Sequence, residues 1–502
     1  MARSRFLGAM VWGQVWRLGE VVLSLLFTVL VVRSLDQNSF GTYSTITTFI
    51  VISIYLLGLG LSEGSVRFVP ILRATDPAVP FRLFRLFLLI RLAICLFAGL
   101  LVWVGRGWLA ALFNQPFFES DSFLLAAMLL FYNLTDFTGN FYTSMLWVKQ
   151  IVLIRLCGQL FTIVLVVAGF HLWGSSVQLL FVVLTVNNIL MVLASLLGAP
   201  RAGLAGTFEK TAPASPLPLK EIFSYSRDLW IINLATIGLL GQMDVFLMAI
   251  LNTGLAEIGF YNLGVILVGR LVLLLQAWAT SLGSIVSTVY LEKGQAGLER
   301  YFVFYYRLSL PAQMIPMGGL ALLAGPFVGL IFGERYLTAV GLLAVMAWFQ
   351  VIHALFGNTI TAAFLNTLGR QRSALVWRCS SALLNLVLDL ALIPVWGPLG
   401  AAIGTGVSIA VLHFLEGWLV RELFWKVRWS YVLKIGGAVV SGAWLGSFIG
   451  GPDLVSFVGR GLFYGAWLLL FFLLAKPLGE PDLQLLPNLR PGLSRVLRYF
   501  VR

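Results

Sequence analysis

Long apolar stretches separated by short polar segments recur along almost the whole chain. A bilayer core about 30 Å thick needs about 20 apolar residues for one helical span. The pattern therefore predicts an all-α polytopic membrane protein with about fourteen spans. The predicted spans are 8–32, 40–61, 83–104, 121–147, 150–170, 176–199, 227–250, 258–288, 303–324, 337–365, 373–393, 399–423, 431–450 and 457–475.

Composition supports this class. Of 502 residues, 59% are hydrophobic and 11% are charged, and the mean hydropathy is +0.93, which is far from the composition of a soluble enzyme. The first apolar stretch shows no small-residue cleavage site, so we predict a retained first span and not a cleaved signal peptide. The three cysteines, Cys95, Cys157 and Cys379, are too sparse for a disulfide framework and are predicted to be buried and inert.

The basic residues collect in alternate loops. One set of loops carries Arg67, Arg73, Arg82, Arg85, Lys149, Arg201, Lys210, Lys220, Lys293, Arg300, Arg370, Arg372, Arg421, Lys426 and Arg428. The other set carries only Arg33, Arg106, Arg335 and Arg460. Because cytoplasmic loops collect Lys and Arg, both termini are predicted to be cytoplasmic, in a bacterial or archaeal inner membrane. The net charge of +13 is spread over short loops beside lipid, so we expect no nucleic-acid partner.

An internal repeat relates the two halves of the chain. The segment 35–43, Leu-Asp-Gln-Asn-Ser-Phe-Gly-Thr-Tyr, corresponds to 253–261, Thr-Gly-Leu-Ala-Glu-Ile-Gly-Phe-Tyr, and Trp173-Gly174 corresponds to Trp396-Gly397. Six spans separate the copies, so the repeats run parallel about an axis along the membrane normal. The predicted organisation is an N-lobe at 1–199, a Pro-rich cytoplasmic linker at 200–226, a C-lobe at 227–424, two further spans at 425–476 and a basic cytoplasmic tail at 477–502.

Several motifs resemble a known family. They are the stretch 13–43 ending in Phe-Gly-x-Tyr, Leu-Gly-Leu-Gly-Leu at 57–61, Val-Arg-Phe-Val at 66–69, Leu-Gly-Arg at 368–370, Leu-Asn-Leu at 384–386 and Trp-Gly-Pro-Leu-Gly-Ala-Ala at 396–402. This pattern resembles the polysaccharide-export branch of the multidrug/oligosaccharidyl-lipid/polysaccharide (MOP) exporter superfamily. The resemblance implies a MATE-like fold of two six-helix lobes plus two C-terminal helices.

The same resemblance implies alternating-access flipping of an undecaprenyl-diphosphate-linked oligosaccharide. The Asn- and Arg-rich second-helix signature of lipid II flippases is missing, which favours an O-antigen or exopolysaccharide repeat unit. The expected partners are this lipid-linked oligosaccharide, membrane lipids and other polysaccharide assembly proteins, and the chain is expected to be a monomer. No covalent cofactor is expected.

Three ionisable residues lie deep in apolar spans. Arg270 lies roughly 18 Å from the outer start of its span, and Arg17 roughly 14 Å from the cytoplasmic start of span one, at 1.5 Å per residue. Glu20 can share a helix face with Arg17. An ionised side chain at this depth costs at least about 2.5–3.5 kcal/mol and needs a partner or a function. One hypothesis is a structural Arg17–Glu20 pair and a carboxylate partner for Arg270. The other hypothesis is that both arginines bind a lipid diphosphate. The resemblance favours this second hypothesis, because flippases of the family are understood to place cavity arginines on the first and eighth helices.

A second set of polar residues is predicted to share one layer. Counted from the outer span ends, Asp244, Asn385, Asp389 and Thr405 fall roughly 9, 12, 6 and 9 Å deep. With a carbonyl of Ala401 freed beside Gly400 and Gly404, they offer only oxygen ligands, which suit a hard cation. Sodium-coupled members of the superfamily have a similar cation site, so the resemblance favours Na⁺. A proton carried by a carboxylate, or a structural polar cluster, remains open.

Other polar positions and other functions are weaker alternatives. Asp136 and His353 could line a cavity, although a lone His in an apolar helix is usually hydrogen-bonded to a neighbour. Glu63 and Arg67 are expected to form a local pair or to meet a substrate head group. A multidrug antiporter would favour an acidic cavity. A membrane glycosyltransferase or polymerase would need a catalytic motif on a large outer loop, and the outer loops here are short.

Overall fold

The computed structural model describes residues 2–75, 79–198, 217–276, 282–357, 360–451 and 453–476. The regular structure in these residues is helical and contains no strand. The chain divides into two compact units, Met1–Asn262 and Leu263–Arg502. The predicted linker at 200–226 is described only from residue 217, and the predicted tail at 477–502 lies outside the described residues.

The first unit contains eleven of these helices and the beginning of a twelfth. They are α1 (Ala2–Ser34), α2 (Gln37–Gly58), α3 (Leu61–Thr75), α4 (Val79–Val104), α5 (Arg106–Phe113), α6 (Phe117–Ser120), α7 (Ser122–Ser144), α8 (Val148–Trp173), α9 (Val177–Gly198), α10 (Leu219–Asn233) and α11 (Met243–Ile250). The unit boundary falls within α12 (Leu255–Gln276).

The second unit begins with the end of α12. Its other helices are α13 (Leu282–Phe332), α14 (Ala339–Leu355), α15 (Thr361–Thr367), α16 (Gln371–Trp396), α17 (Pro398–Leu419), α18 (Arg421–Phe424), α19 (Trp429–Gly446) and α20 (Leu454–Ala475). α13 joins two helical segments across Gly294, whose φ is 60°.

Eleven helices in the described residues are long and apolar enough to cross a bilayer. This confirms a polytopic all-α membrane protein. The predicted span 337–365 is represented by α14, which is apolar but shorter. Within the predicted span 258–288 the described residues are helical on both sides of 277–281, which lie outside the described residues.

The predicted span at 227–250 is interrupted. The segment consists of α10, a π-helical turn at Leu234–Leu239, and α11. Gly238 and Gly241 lie at this interruption, and Gly costs about 1 kcal/mol relative to Ala in a helix. Periodicity alone could not show the break, because the residues on both sides remain apolar.

The second span also breaks at its end. α2 stops at Gly58, and Leu59 and Gly60 adopt left-handed φ values of 47° and 67° before α3 begins. A Cβ on Gly60 would lie 2.0 Å from the carbonyl oxygen of Ser226. Glycine at 60 therefore permits both the turn and the close approach of α10.

Two carboxylates that lie just before candidate spans cap the N-termini of those helices. Asp36 accepts a hydrogen bond from the Ser39 amide at 3.0 Å, and Asp453 accepts one from the Ser456 amide at 2.8 Å. Bonds from the hydroxyl and amide of each serine favour the ionised carboxylate and lower the pKa of both Asp36 and Asp453. Each cap marks the start of a helix, α2 or α20.

The repeat landmarks occupy equivalent places. The Trp173-Gly174 pair ends α8 and the Trp396-Gly397 pair ends α16, and both glycines have positive φ, 84° and 54°. A glycine with positive φ is a common way to end a helix. The predicted lobe boundaries themselves stay a prediction.

An aromatic core holds α3, α4 and α7 together. Phe84 packs against Phe137 and Phe141, with ring centroids 5.2 and 4.3 Å apart. Phe87 and Phe137 are fully buried in the same cluster. This cluster fixes the helices that carry the polar residues described next.

Candidate functional sites

The predicted arginine residues lie on two helices, one in each unit. Arg17 and Glu20 are partly buried on α1, and Arg270 is partly buried on α12. Each of the three has at least one hydrogen bond, ion pair, ring contact or electrostatic interaction. The structure therefore keeps both hypotheses open for Arg17 and Glu20, a structural pair or a phosphate site.

A further arginine, which the sequence reasoning missed, lies beside α1. Arg155 on α8 stands over the Trp16 ring, 5.5 Å from its centroid, and interacts electrostatically with Glu20 and Asp136. On the same helix, Lys149 stands over the Trp12 ring at 5.6 Å. Arg155 lies seven residues after Val148, where α8 begins, so its depth of roughly 10 Å at 1.5 Å per residue was a usable signal. The facing sides of α1 and α8 therefore carry more positive than negative groups.

Arg91 is a second missed arginine, and only 1% of it is exposed. Its Nη1 donates to the Asn133 carbonyl at 3.0 Å and to Asp136 Oδ2 at 3.2 Å. Its Nη2 donates to Ser62 Oγ at 2.9 Å and to the Gly58 carbonyl at 3.3 Å. Arg91 thus binds the last turn of α2 to α7, and Asp136 serves as its counter-charge.

Glu63 pairs with a residue that the sequence did not suggest. Its Oε1 accepts a hydrogen bond from Asn233 Nδ2 of α10 at 2.6 Å. Arg67 instead stands over the Tyr225 ring, 4.3 Å from its centroid. Glu63 lines a cavity of about 20 Å³ with Asp136, a volume that can hold one water molecule.

Trp230 completes the contact between α10 and the broken second span. Its Nε1 lies 3.0 Å from the Tyr55 carbonyl and 3.1 Å from the Leu56 carbonyl. These carbonyls are near the C-terminus of α2, where the break leaves them without helical partners. α10 therefore supplies the donor that the end of α2 lacks.

Four of the five predicted cation ligands lie in the second unit. Asn385 and Asp389 on α16 are fully buried, and Asn385 Nδ2 donates to Asp389 Oδ2 at 2.9 Å. A Cβ on Gly404 would lie 2.5 Å from Asp389 Oδ1, so this carboxylate reaches the backbone of α17 between Ala401 and Thr405. The structure thus brings together a carboxylate, an amide and the predicted α17 segment.

The fifth predicted ligand, Asp244, belongs to the first unit. It is 5% exposed on α11, and its carboxylate accepts a hydrogen bond from the Tyr261 hydroxyl. In the part of the chain that the structure describes, no three His, Cys, Asp or Glu side chains converge as a metal cluster would need. The predicted set has two carboxylates, Asp244 and Asp389, with otherwise neutral oxygens, which fits a monovalent cation better than a divalent one.

His353 belongs to a second polar cluster of the second unit. Its Nε2 lies 3.0 Å from the Gly406 carbonyl, which supports the expectation of a hydrogen bond to a neighbour. The His413 ring centroid lies 5.7 Å away, and Glu416 accepts from Arg378 Nε at 2.8 Å. These residues come from α14, α16 and α17.

The cysteine prediction needs correction. Cys95 is buried, but Cys157 is exposed and Cys379 is intermediate. Both lie on helices long and apolar enough to span a membrane, where an apolar environment does not require burial in protein. Sequence patterning could not tell a lipid-facing position from an interior one here.

Comparison with solved structures defines the class of the fold. The chain is similar to the lipid II flippase MurJ in an inward closed conformation, with a TM-score of 0.69, 13% identity and coverage of 93% of this chain and 98% of that chain. It is also similar to an inward-facing multidrug resistance MATE family transporter of the MOP superfamily, with a TM-score of 0.60, 16% identity and coverage of 80% and 94%. The protein has the fold of MOP superfamily transporters.

The sequence comparisons identify the family. Residues 15–287 match the family described as polysaccharide biosynthesis protein, and the chain belongs to that family. It is 24% identical over 268 residues to an uncharacterized membrane protein of Methanocaldococcus jannaschii, covering 51% of this chain and 50% of the relative. It is 26% identical over 185 residues to a probable low-salt glycan biosynthesis flippase of Haloferax volcanii, covering 34% and 37%. The chain thus spans half or less of the length of these relatives.

Proposed function

We propose that this protein is an alternating-access flippase for lipid-linked oligosaccharides. It would move an undecaprenyl-diphosphate-linked O-antigen or exopolysaccharide repeat unit from the cytoplasmic to the outer leaflet. Membership of the polysaccharide biosynthesis protein family supports a glycan-related substrate, and the similarity to a probable glycan biosynthesis flippase supports the transport step. The proposal is for a transporter and not for an enzyme.

The observation that carries the substrate class is the positive charge within apolar helices. Arg17, Lys149 and Arg155 lie on α1 and α8 with one carboxylate, Glu20, on the same pair of helices. A guanidinium is always charged and offers a planar set of donors that matches phosphate oxygens. A diphosphate gains from such contacts, whereas a cationic drug would be repelled. Arg270 supplies a further guanidinium in the second unit.

The proposed coupling ion is Na⁺, and H⁺ is the alternative. Asn385 and Asp389 are buried together beside the α17 backbone at Gly404, which supports a cation site in the second unit. A cation that binds one access state more tightly than the other shifts the equilibrium between them. Sodium entry could in this way return the empty carrier to its starting state.

The test is transport by the purified protein in liposomes that contain a lipid-linked oligosaccharide. We expect the glycan to cross to the opposite leaflet, measured as its accessibility to an added glycosidase, and the rate to increase with an inward Na⁺ gradient. A second lipid-linked glycan should compete with this movement, and a cationic dye should not compete with it. Export of the dye without movement of the glycan would instead support the multidrug antiporter.

A further inference from the structure

α16 and α17 pack against each other along their lengths and enclose a row of polar side chains. Arg378, Ser381, Asn385 and Asp389 recur at intervals of three or four residues on α16, so they share one helix face. We call the part of this row beyond the candidate cation ligands the polar seam. It consists of His353 of α14, Arg378 and Ser381 of α16, and Ser408, His413 and Glu416 of α17.

The polar seam is buried. His353 and Glu416 are 2% exposed, Ser381 is 1% exposed and Ser408 is fully buried. Such groups are costly in a membrane protein unless they are paired or have a function. Glu416 is paired, because Arg378 Nε donates to it at 2.8 Å and His413 Nδ1 lies 3.7 Å from its other oxygen.

Several other atoms of the seam have no hydrogen-bond partner among the described residues. They are the hydroxyl oxygens of Ser381 and Ser408 and the Nδ1 atom of His353. Buried serines in spans usually donate to the carbonyl of the preceding turn, as Ser44 does to Phe40 at 2.8 Å. Each missing bond costs about 1–3 kcal/mol. Three such atoms in one row therefore point to a ligand or water that the seam accepts in another state.

The seam runs from the candidate cation ligands to the helix ends that carry basic residues. At one end, Ser381 lies one turn from Asn385, and Ser408 lies one turn from Thr405, both predicted cation ligands. At the other end, the Arg378 side chain is 32% exposed, near the helix ends that carry Arg370, Arg372 and Arg421. The charge pattern predicts that end to be cytoplasmic. From Asp389 to Arg378 is roughly 16 Å along α16 at 1.5 Å per residue.

We propose that the polar seam is the route by which Na⁺ passes between the candidate cation site and the cytoplasmic face. This inference rests on the proposed function, in which Na⁺ binds near Asp389. The seam is closed in this structure, and the Arg378–Glu416 ion pair is its inner gate.

The chemistry of the seam suits a cation in transit. When His353 donates its Nε2 proton to the Gly406 carbonyl, its Nδ1 presents a lone pair to the seam. The serine hydroxyls add acceptors, and Glu416 adds a negative charge once Arg378 moves away. Opening the seam would let these groups replace part of the hydration shell of Na⁺.

The first test uses the accessibility of a thiol. Cys95, Cys157 and Cys379 are replaced by Ser, and Ser408→Cys is introduced in proteoliposomes that transport the glycan. We expect a small cationic methanethiosulfonate reagent to label it from the cytoplasmic side during transport, and Na⁺ to slow this labelling. Ser309→Cys is the control, because Ser309 is 3% exposed in the same unit and its hydroxyl bonds the Tyr306 carbonyl. Labelling of the Ser408→Cys protein should be at least about tenfold faster than labelling of the Ser309→Cys protein. The reason is that transport requires the seam to open but does not require the surroundings of residue 309 to open.

The second test separates a route from a structural role. Ser408→Ala removes a hydroxyl without a partner, so a purely structural role predicts unchanged or higher stability and unchanged transport. A route predicts slower Na⁺-driven transport with equilibrium Na⁺ binding retained. Glu416→Gln keeps an acceptor for Arg378. We expect it, too, to slow Na⁺-driven transport while equilibrium Na⁺ binding is retained.

Five outcomes are informative. Labelling that Na⁺ slows, together with slower transport in the Ser408→Ala protein, supports the route. Labelling no faster than at residue 309, or labelling that protons slow and Na⁺ does not, overturns it while the measured glycan transport still stands. Transport by Ser408→Ala and Glu416→Gln at the wild-type rate also overturns the route. Failure of the unmutated protein to move glycan in these liposomes contradicts the proposed function itself.

Discussion

The guanidinium of Arg91 lies 3.2 Å from the carboxylate of Asp136. Arg91 is almost fully buried, whereas the Asp136 side chain is 32% exposed and also accepts from Ser62 and Asn140. A buried ion pair adds little net stability, but loss of one partner leaves an uncompensated charge. The pair therefore acts as a fixed joint between α4, α7 and the end of α2.

We predict that Arg91→Met destabilises the protein by about 1–3 kcal/mol, the cost of leaving its buried hydrogen-bond partners unsatisfied. Thermal unfolding in detergent would measure the loss. Arg227→Ala is the matched control, because its pair with Asp228 is 2.9 Å long but largely exposed, and such pairs contribute about 0–1 kcal/mol. Equal effects of the two variants would contradict a structural role for Arg91.

The second prediction concerns the phosphate site. Arg270→Ala and Arg17→Ala should abolish glycan transport while protein abundance stays normal, because the diphosphate loses its charged donors. Arg270→Lys should restore little activity, since an ammonium cannot form the bidentate contact. The flipping assay measures this, with Arg106→Ala as the control for an exposed arginine. Wild-type transport by Arg270→Ala would exclude the proposed role.

The third prediction concerns Asp389. Na⁺ at constant ionic strength should raise the melting temperature of the wild-type protein, as mass action requires of a ligand of the folded state. Asp389→Asn keeps the shape of the side chain and removes its charge, so it should lose this response. Equal stabilisation by Na⁺, K⁺ and choline would favour a proton site or a structural cluster.

The fourth prediction concerns Gly404. Gly404→Ala places a Cβ 2.5 Å from Asp389 Oδ1, so it should displace the carboxylate and weaken the Na⁺ response. Gly437→Ala on α19 is the control, because a Cβ there meets no atom within 4 Å. That control should be neutral or stabilising by up to about 1 kcal/mol. An unchanged Na⁺ response in Gly404→Ala would show that the close contact does not matter for binding.

The sequence determined the class of the protein and most helix positions. Runs of about 20 apolar residues can satisfy their backbone in lipid only as helices, so α4, α8 and α9 lie within a few residues of their predicted bounds. Local turn chemistry is similarly readable, as Asp36 before α2 and Gly174 after α8 show. The i,i+4 spacing also sufficed to pair Asn385 with Asp389.

Tertiary structure alone decided which polar residues meet across helices. Arg91 and Asp136 are 45 residues apart, and Glu63 and Asn233 are 170 apart, so no periodic pattern relates them. The break after Asn233 was also hidden, because the residues beyond it remain apolar. The hydrophobic pattern of a segment is enough to predict a helix in lipid. The partner of a buried charge depends instead on which neighbouring helix packs against that charge, and only the tertiary packing determines this.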